Sequence, residues 1–171
     1  MTTANILLLT GLLLAITFGT ASAAAKRQGT AWNYYHFNGR AFVAGQPADV
    51  RPFVAVRERS LPVVLTQPGP VQPAPLAAGK GAVVGICYIQ TSGGKLASSG
   101  TGYQPCPRLS LPIFSGASTV TTVETDQNGY FTAVLDAGTY RIGTPPISAE
   151  VTVEDGTTKL VHLMAGKRMV D

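Results

Sequence analysis

Residues 147–154 read Ile147-Ser148-Ala149-Glu150-Val151-Thr152-Val153-Glu154, with an apolar side chain at every odd position and a polar one at every even position. A period of two is what a β-strand needs when one face is buried and the other is wet. Asp155-Gly156 follows as a turn. Residues 158–164 (TKLVHLM) are then apolar on both sides, the pattern of a central strand covered on both faces. Working backward, Phe131, Ala133 and Leu135 share one face while Thr132 and Asp136 share the other. The dipeptide Asn128-Gly129 reads as a hairpin turn from residues 118–125 into that strand, because both residues tolerate positive φ. Ala137-Gly138 turns the chain again into residues 139–142.

Two earlier runs complete the series: residues 82–90 (AVVGICYIQ) and 109–114 (LSLPIF). Pro112 has no amide hydrogen, so the second should lie at a sheet edge or carry a bulge. About seven short strands with turn signals roughly every ten residues predict an antiparallel sandwich. Composition agrees. Glycine (19) and proline (12) are frequent among the 171 residues, and only 13% are charged against the roughly 25% of ordinary domains. This excludes a long coiled coil and a charged disordered chain, and no window shows a helical stripe.

The front of the chain reads differently. Residues 6–18 (ILLLTGLLLAITF) are an uncharged apolar run too short to span a bilayer, which takes about 20 residues. Ala21-Ser22-Ala23 follows as a small-residue cleavage pattern, so residues 1–23 read as a secretory signal peptide, although no lysine or arginine precedes the run. The expected location is therefore outside the cytoplasm: extracellular, periplasmic or at the cell envelope, with membrane contact only through an uncleaved leader. Residues 24–66 form an irregular segment with aromatics near its front and one to three short strands. Residues 67–80 (QPGPVQPAPLAAGK) read as a semi-rigid proline-rich linker, and residues 81–171 as the sandwich. The net charge of +4 is mild, and no basic face interleaved with aromatics points to nucleic acid.

Several motifs in the sandwich are similar to those of carboxypeptidase regulatory-like domains. Gly81-Ala82-Val83-Val84-Gly85 resembles that family's G-x-V-x-G opening. Thr125-Asp126-Gln127-Asn128-Gly129-Tyr130-Phe131 resembles its T-D-x-x-G-x-F signature, and Leu135-Asp136-Ala137-Gly138-Thr139-Tyr140 its L-x-A-G-x-Y element. The resemblance covers residues 81–165. It implies a seven-stranded Greek-key sandwich of transthyretin-like type, non-catalytic and without cofactor, serving exported proteins in spacing, adhesion or carbohydrate contact. The roles implied are structural. Gly129 supplies a turn, Phe131 enters the core, Gly138 permits a tight bend, and Tyr140 packs while its hydroxyl seeks a partner; Gly85, Thr125, Asp126 and Leu135 complete the structural motif. Residues 91–107 stand as an insertion between the first two strands.

Candidates for chemistry are few. Cys87 and Cys106 in an exported chain point to a disulfide closing a loop of about 20 residues, worth roughly 3 kcal/mol, with two free thiols as the alternative. The histidines, His36 and His162, stand in no zinc-ligand spacing, so no metal is expected; His162 reads as a strand residue. G-x-S-x-G and H-x-x-E are absent from the sequence, as is the Y-R-G-S tail of the transthyretin-like hydrolases of purine breakdown. The chain is expected not to be an enzyme. Trp32, Tyr34, Tyr35 and Phe37 crowd one short stretch and form the candidate binding surface. Three uses remain open for them: packing on the protein itself, contact with another exported or envelope protein, or stacking on a glycan.

Overall fold

The structure, a computed structural model, describes residues 31–93 and 102–170. The signal-peptide reading of residues 1–23 and part of the 91–107 insertion lie outside them. The described chain is all-β, with strands in three sheets.

The first sheet is built from residues ahead of the proline-rich run. It contains β1 (Asn33–Phe37), β2 (Phe42–Ala44), β3 (Phe53–Val56) and β4 (Val63–Leu65), in the order β2-β1-β3-β4. All its pairings are antiparallel. The middle sheet is centred on β5 (Lys80–Gly93). On one side it pairs with β12 (Thr158–Val170), and on the other with β9 (Tyr130–Asp136) and the short β6 (Tyr103–Pro105). The third sheet contains β7 (Ser110–Ser115), β8 (Ser118–Glu124), β10 (Gly138–Thr144) and β11 (Ile147–Val153), ordered β11-β10-β7-β8.

The middle sheet is packed on both faces, and β5 shows why. Its residues 82–88 are buried without a break, and their side chains alternate between two cores. Val83 and Cys87 face the third sheet, joining Leu111, Ile113, Phe131, Leu135, Tyr140, Ile142, Val151, Val153, Val161 and Leu163. Val84, Ile86 and Tyr88 face the first sheet, joining Phe37, Val54 and Tyr130. The protein is thus three layers around two cores.

The alternation at residues 147–154 appears as predicted: Val151 and Val153 are buried, Ile147 and Ala149 pack against the same core, and Glu150 and Thr152 are exposed. Three expectations are corrected. The doubly covered strand is β5, whereas β12 lies at the sheet's side with His162 and Met164 exposed. The sandwich is not wholly antiparallel, since β12 runs parallel to β5. The turn at residues 154–157 carries the chain from the third sheet to the start of β5, where Thr157 accepts from the Ala82 amide (2.9 Å) and Lys80 from the Gly156 amide (2.8 Å). The new strand therefore begins where β5 begins and runs the same way.

The residues around Asn128-Gly129 do not close a hairpin, because β8 pairs with β7 and β9 pairs with β5. The connection switches sheets. Asp126 Oδ1 accepts the amides of Asn128 and Tyr130 at 2.8 Å each, and Gly129 takes a φ of +76°. Of the two places expected for Pro112, edge or bulge, the second is found: it lies in an interior strand of the third sheet, and the β7–β8 register shifts beside it between Ile113 and Phe114. The ladder absorbs the missing donor next to a bulge instead of at an edge.

The proline-rich run carries no strand of its own and is tied to the turn after β3. Leu61 donates to the Ala74 carbonyl (2.7 Å), Leu76 to that of Arg59 (3.0 Å), and Pro75 forms a bridge with Ser60. Arg59, in the charged stretch 57–59, reaches across to the third sheet's exit, where its amide donates to Gly156 (2.7 Å).

Candidate functional site

The aromatic segment divides between two faces of the first sheet. Strand alternation sends Phe37 and Tyr35 toward the middle sheet and Tyr34 and His36 away from it. Phe37 is fully buried and is the centre of an aromatic cluster. Its ring lies 4.7 Å from Tyr88, 5.0 Å from Tyr103, 5.7 Å from Phe42 and 6.1 Å from His162, in tilted and edge-on arrangements. On the opposite face Tyr34 meets the buried Phe53 edge-on at 5.9 Å, and Trp32 precedes the strand half-buried. The four residues expected as one binding surface therefore form no single platform. Phe37 belongs to the core, because the uncovered face of the middle sheet (Val84, Ile86, Tyr88) needs an apolar cover. His36 is held by its Nδ1 contact with the Gly45 carbonyl at 2.9 Å. It faces away from the layer that His162 edges.

The hydroxyls in this interface are costly to ionise. Burial raises the ionisation points of Tyr88, Tyr103 and Tyr130 above the ordinary value for tyrosine. Tyr130 donates from its hydroxyl to the Pro52 carbonyl at 3.3 Å, which ties β9 to the β2–β3 loop.

Cys87 lies on β5 and Cys106 directly follows β6, one step beyond the β5–β6 ladder, and the Cys106 amide donates to the Cys87 carbonyl at 3.0 Å. The expected disulfide is not formed: both are free thiols. Burial first, and the neighbouring Cys106 second, push the Cys87 thiol up to about 12, so it stays protonated at neutral pH.

The motif residues take up the following contacts. A Cβ on Gly85 would run into the Phe131 ring, which lies flat over the position its cross-strand partner leaves open. Thr125 is buried; its Oγ1 donates to the Cys106 carbonyl (2.6 Å) and accepts from the Leu109 amide (2.8 Å). Leu135 enters the core. The Tyr140 hydroxyl donates to the Asp136 carbonyl at 3.0 Å. Gly138 begins β10 without a positive φ.

Clefts open on the surface of the described residues. One, of about 390 Å³, lies between residues 62–64 and the carboxylates of Glu124 and Asp126. Another, of about 440 Å³, lies between the β2–β3 loop and residues 66–68. The second contains the ion pair Arg51 Nε–Asp49 Oδ1 at 2.6 Å. That bond from Arg51 holds the Asp49 carboxyl below its usual range, and the bond from Asp49 raises Arg51 in turn. Sequence reasoning missed this pair, since an Asp and an Arg two residues apart in a polar loop carry no motif. Among the described residues no three His, Cys, Asp or Glu side chains gather closely enough to hold a metal ion. Among them, too, no helix is long and apolar enough to cross a membrane.

The class of protein so defined is a layered all-β protein with aromatic packing between its sheets. No family model matches the chain, and no curated protein matches it. Among solved structures, the crystal structure of a DUF3823 family protein from Parabacteroides merdae ATCC 43184 is similar at 20% identity with a TM-score of 0.36. The match covers 52% of this chain and 46% of that one, so the chain spans less than half the length of that structure. A likeness so distant assigns no function.

Proposed function

We propose that this chain is an exported, non-catalytic β-sandwich module with a structural or adhesive role, exercised through another protein at the cell envelope or outside the cell. The observation that carries the reading is the use of the aromatic segment. Phe37, the most buried of the aromatics that stood out as potential chemistry, is spent on joining the first sheet to the middle one against Tyr88 and Tyr103. Such packing suits a rigid spacer. Edge strand β8 supports the partner contact: residues 118–122 are all exposed and uncharged, and Val120 is 51% exposed.

The carboxypeptidase regulatory-like, transthyretin-like assignment of residues 81–165 belongs to the same proposal. It is supported by the third sheet facing β12, β5 and β9, and by the packing of Gly85, Phe131 and Tyr140. Glycan stacking on Trp32, Tyr34, Tyr35 and Phe37 together is not retained, because they lie on opposite faces of a sheet and Phe37 is buried.

The test is isolation from the natural source after mild cross-linking. The expected result is a mature chain beginning at Ala24, joined in fixed proportion to one exported protein, and inert toward ester, amide and glycoside substrates. Turnover abolished by a single point mutation would overturn the reading, as would a chain that stays in the cytoplasm.

A further inference from the structure

We propose that the cleft between the β2–β3 loop and residues 66–68 binds a neutral saccharide. The inference does not depend on export or on a protein partner. The cleft's volume of about 440 Å³ lies within the range of small-molecule sites, roughly 300–1,000 Å³. Its apolar lining is the rings of Pro47 and Pro68, with the buried Phe53 (2% exposed) beneath them as the floor's support. The prolines offer C–H surface to the apolar face of a sugar.

The polar lining selects the ligand class. Gln46 and Gln67 each carry an amide donor and an amide acceptor. Asp49 and Arg51 are fixed to each other through Oδ1 and Nε, and the Arg51 amide also donates to the Asp49 carbonyl at 2.9 Å. That bond does not involve Asp49 Oδ2 or the two Nη groups, which add an acceptor and a planar donor fork. Sugar hydroxyls donate and accept at once, so they can use both members of the pair. An anion cannot: the carboxylate beside Arg51 cancels its charge and repels a second acid. An extended peptide is disfavoured too, because two of the walls are prolines, which have no amide to offer an incoming strand.

The Phe53 side of the cleft is held in place before any ligand arrives. Tyr34 braces Phe53 edge-on, and the Tyr130 hydroxyl ties Pro52 to the middle sheet. Preorganisation of this kind lowers the ordering cost of binding.

The experiment is amide NMR of the full chain titrated with cellotriose, maltotriose, mannotriose and chitotriose, and with trigalacturonate and triglycine. At least one neutral trisaccharide should shift the amides of residues 46–53 and 66–68 and saturate with a Kd of about 1 mM. Trigalacturonate should bind at least tenfold more weakly. Arg51→Met, which keeps the apolar stem, should weaken the sugar about tenfold. Gln67→Ala should weaken it as well, and Trp32→Ala should leave it unchanged. The proposal is overturned if no neutral trisaccharide moves these amides, if triglycine or trigalacturonate moves them equally, or if Arg51→Met and Gln67→Ala, both with unchanged Tm, bind as the parent does. A partner protein could still be found in each of those cases, so failure here leaves the module reading separately testable.

Discussion

At Gly85 the middle sheet has no room for a side chain, because the Phe131 ring occupies the space a Cβ would need. Gly85→Ala should cost about 1–3 kcal/mol in urea unfolding, the usual penalty of overpacking. In Gly85→Ala/Phe131→Leu the loss should be smaller than the sum of the two single losses, since each removes the other's reason. An additive result would show that the ring and the glycine are not partners. Thr158 presents the opposite case. Its Oγ1 is buried at the start of β12 with no hydrogen-bond partner. Thr158→Val keeps the shape and removes the orphan hydroxyl, so stability should rise by about 1 kcal/mol, read from the urea midpoint. The thiols can be ranked in the same way. Under reducing conditions iodoacetamide should modify the half-buried Cys106 in the folded protein and reach Cys87 only on unfolding, which peptide mass mapping would resolve. Equal labelling of both would contradict the burial of Cys87.

Strands were legible where one face met water. The alternation at residues 147–154 could be read directly because β11 has a core on one side only. β5 and β12 are both apolar runs, and hydropathy alone could not say which lay inside. The difference is made by a partner outside either run, for the first sheet covers β5 through Phe37 and Val54 and leaves His162 and Met164 of β12 exposed. Pairing was illegible for a related reason: Asn128-Gly129 is good hairpin chemistry, yet the Asp126 carboxylate and the tether of Thr125 to Cys106 direct the chain into another sheet. The candidate surface was legible as a dense aromatic stretch and misread as one face, since a period of two divides neighbours. The cleft with Asp49 and Arg51 was not legible at all, being assembled from two loops of ordinary composition. This distinction between the two strands is measurable. Phe37→Ala should cost about 3–5 kcal/mol, as removal of a buried aromatic does. Met164→Ser, at a position 43% exposed, should stay within about 0.5 kcal/mol. A large loss at Met164 would restore β12 as the covered strand.

Across the whole molecule the two cores stand or fall together, and two measurements follow from that. The first is pH. The Cys87 thiol and the hydroxyls of Tyr88, Tyr103 and Tyr130 all ionise less readily when folded, chiefly through burial. Their ordinary values are 9.0 and 10.0, so above these the unfolded chain releases protons that the folded protein keeps. The folded state then binds more protons, and stability must fall as pH rises. Tm should be level from near-neutral pH to about pH 8.5 and drop progressively above about pH 9, and Tyr130→Phe should flatten part of that drop. A Tm level to pH 11 would show that these groups are open to water. The second concerns the layers themselves. A chain starting at residue 79 would retain the middle and third sheets and lose the first. Val84 and Ile86, fully buried in the complete protein, would then face solvent together with Tyr88 and Tyr130, now only 4% and 2% exposed. A contiguous apolar face of that kind binds dye and promotes association. The truncated chain should therefore bind 8-anilinonaphthalene-1-sulfonate, lose its sharp near-ultraviolet circular dichroism and unfold over a broad range. The complete chain should melt in one cooperative step. If the truncated chain instead melts sharply within a few degrees of the complete one, the first sheet is an accessory cover, and the middle sheet does not need two cores.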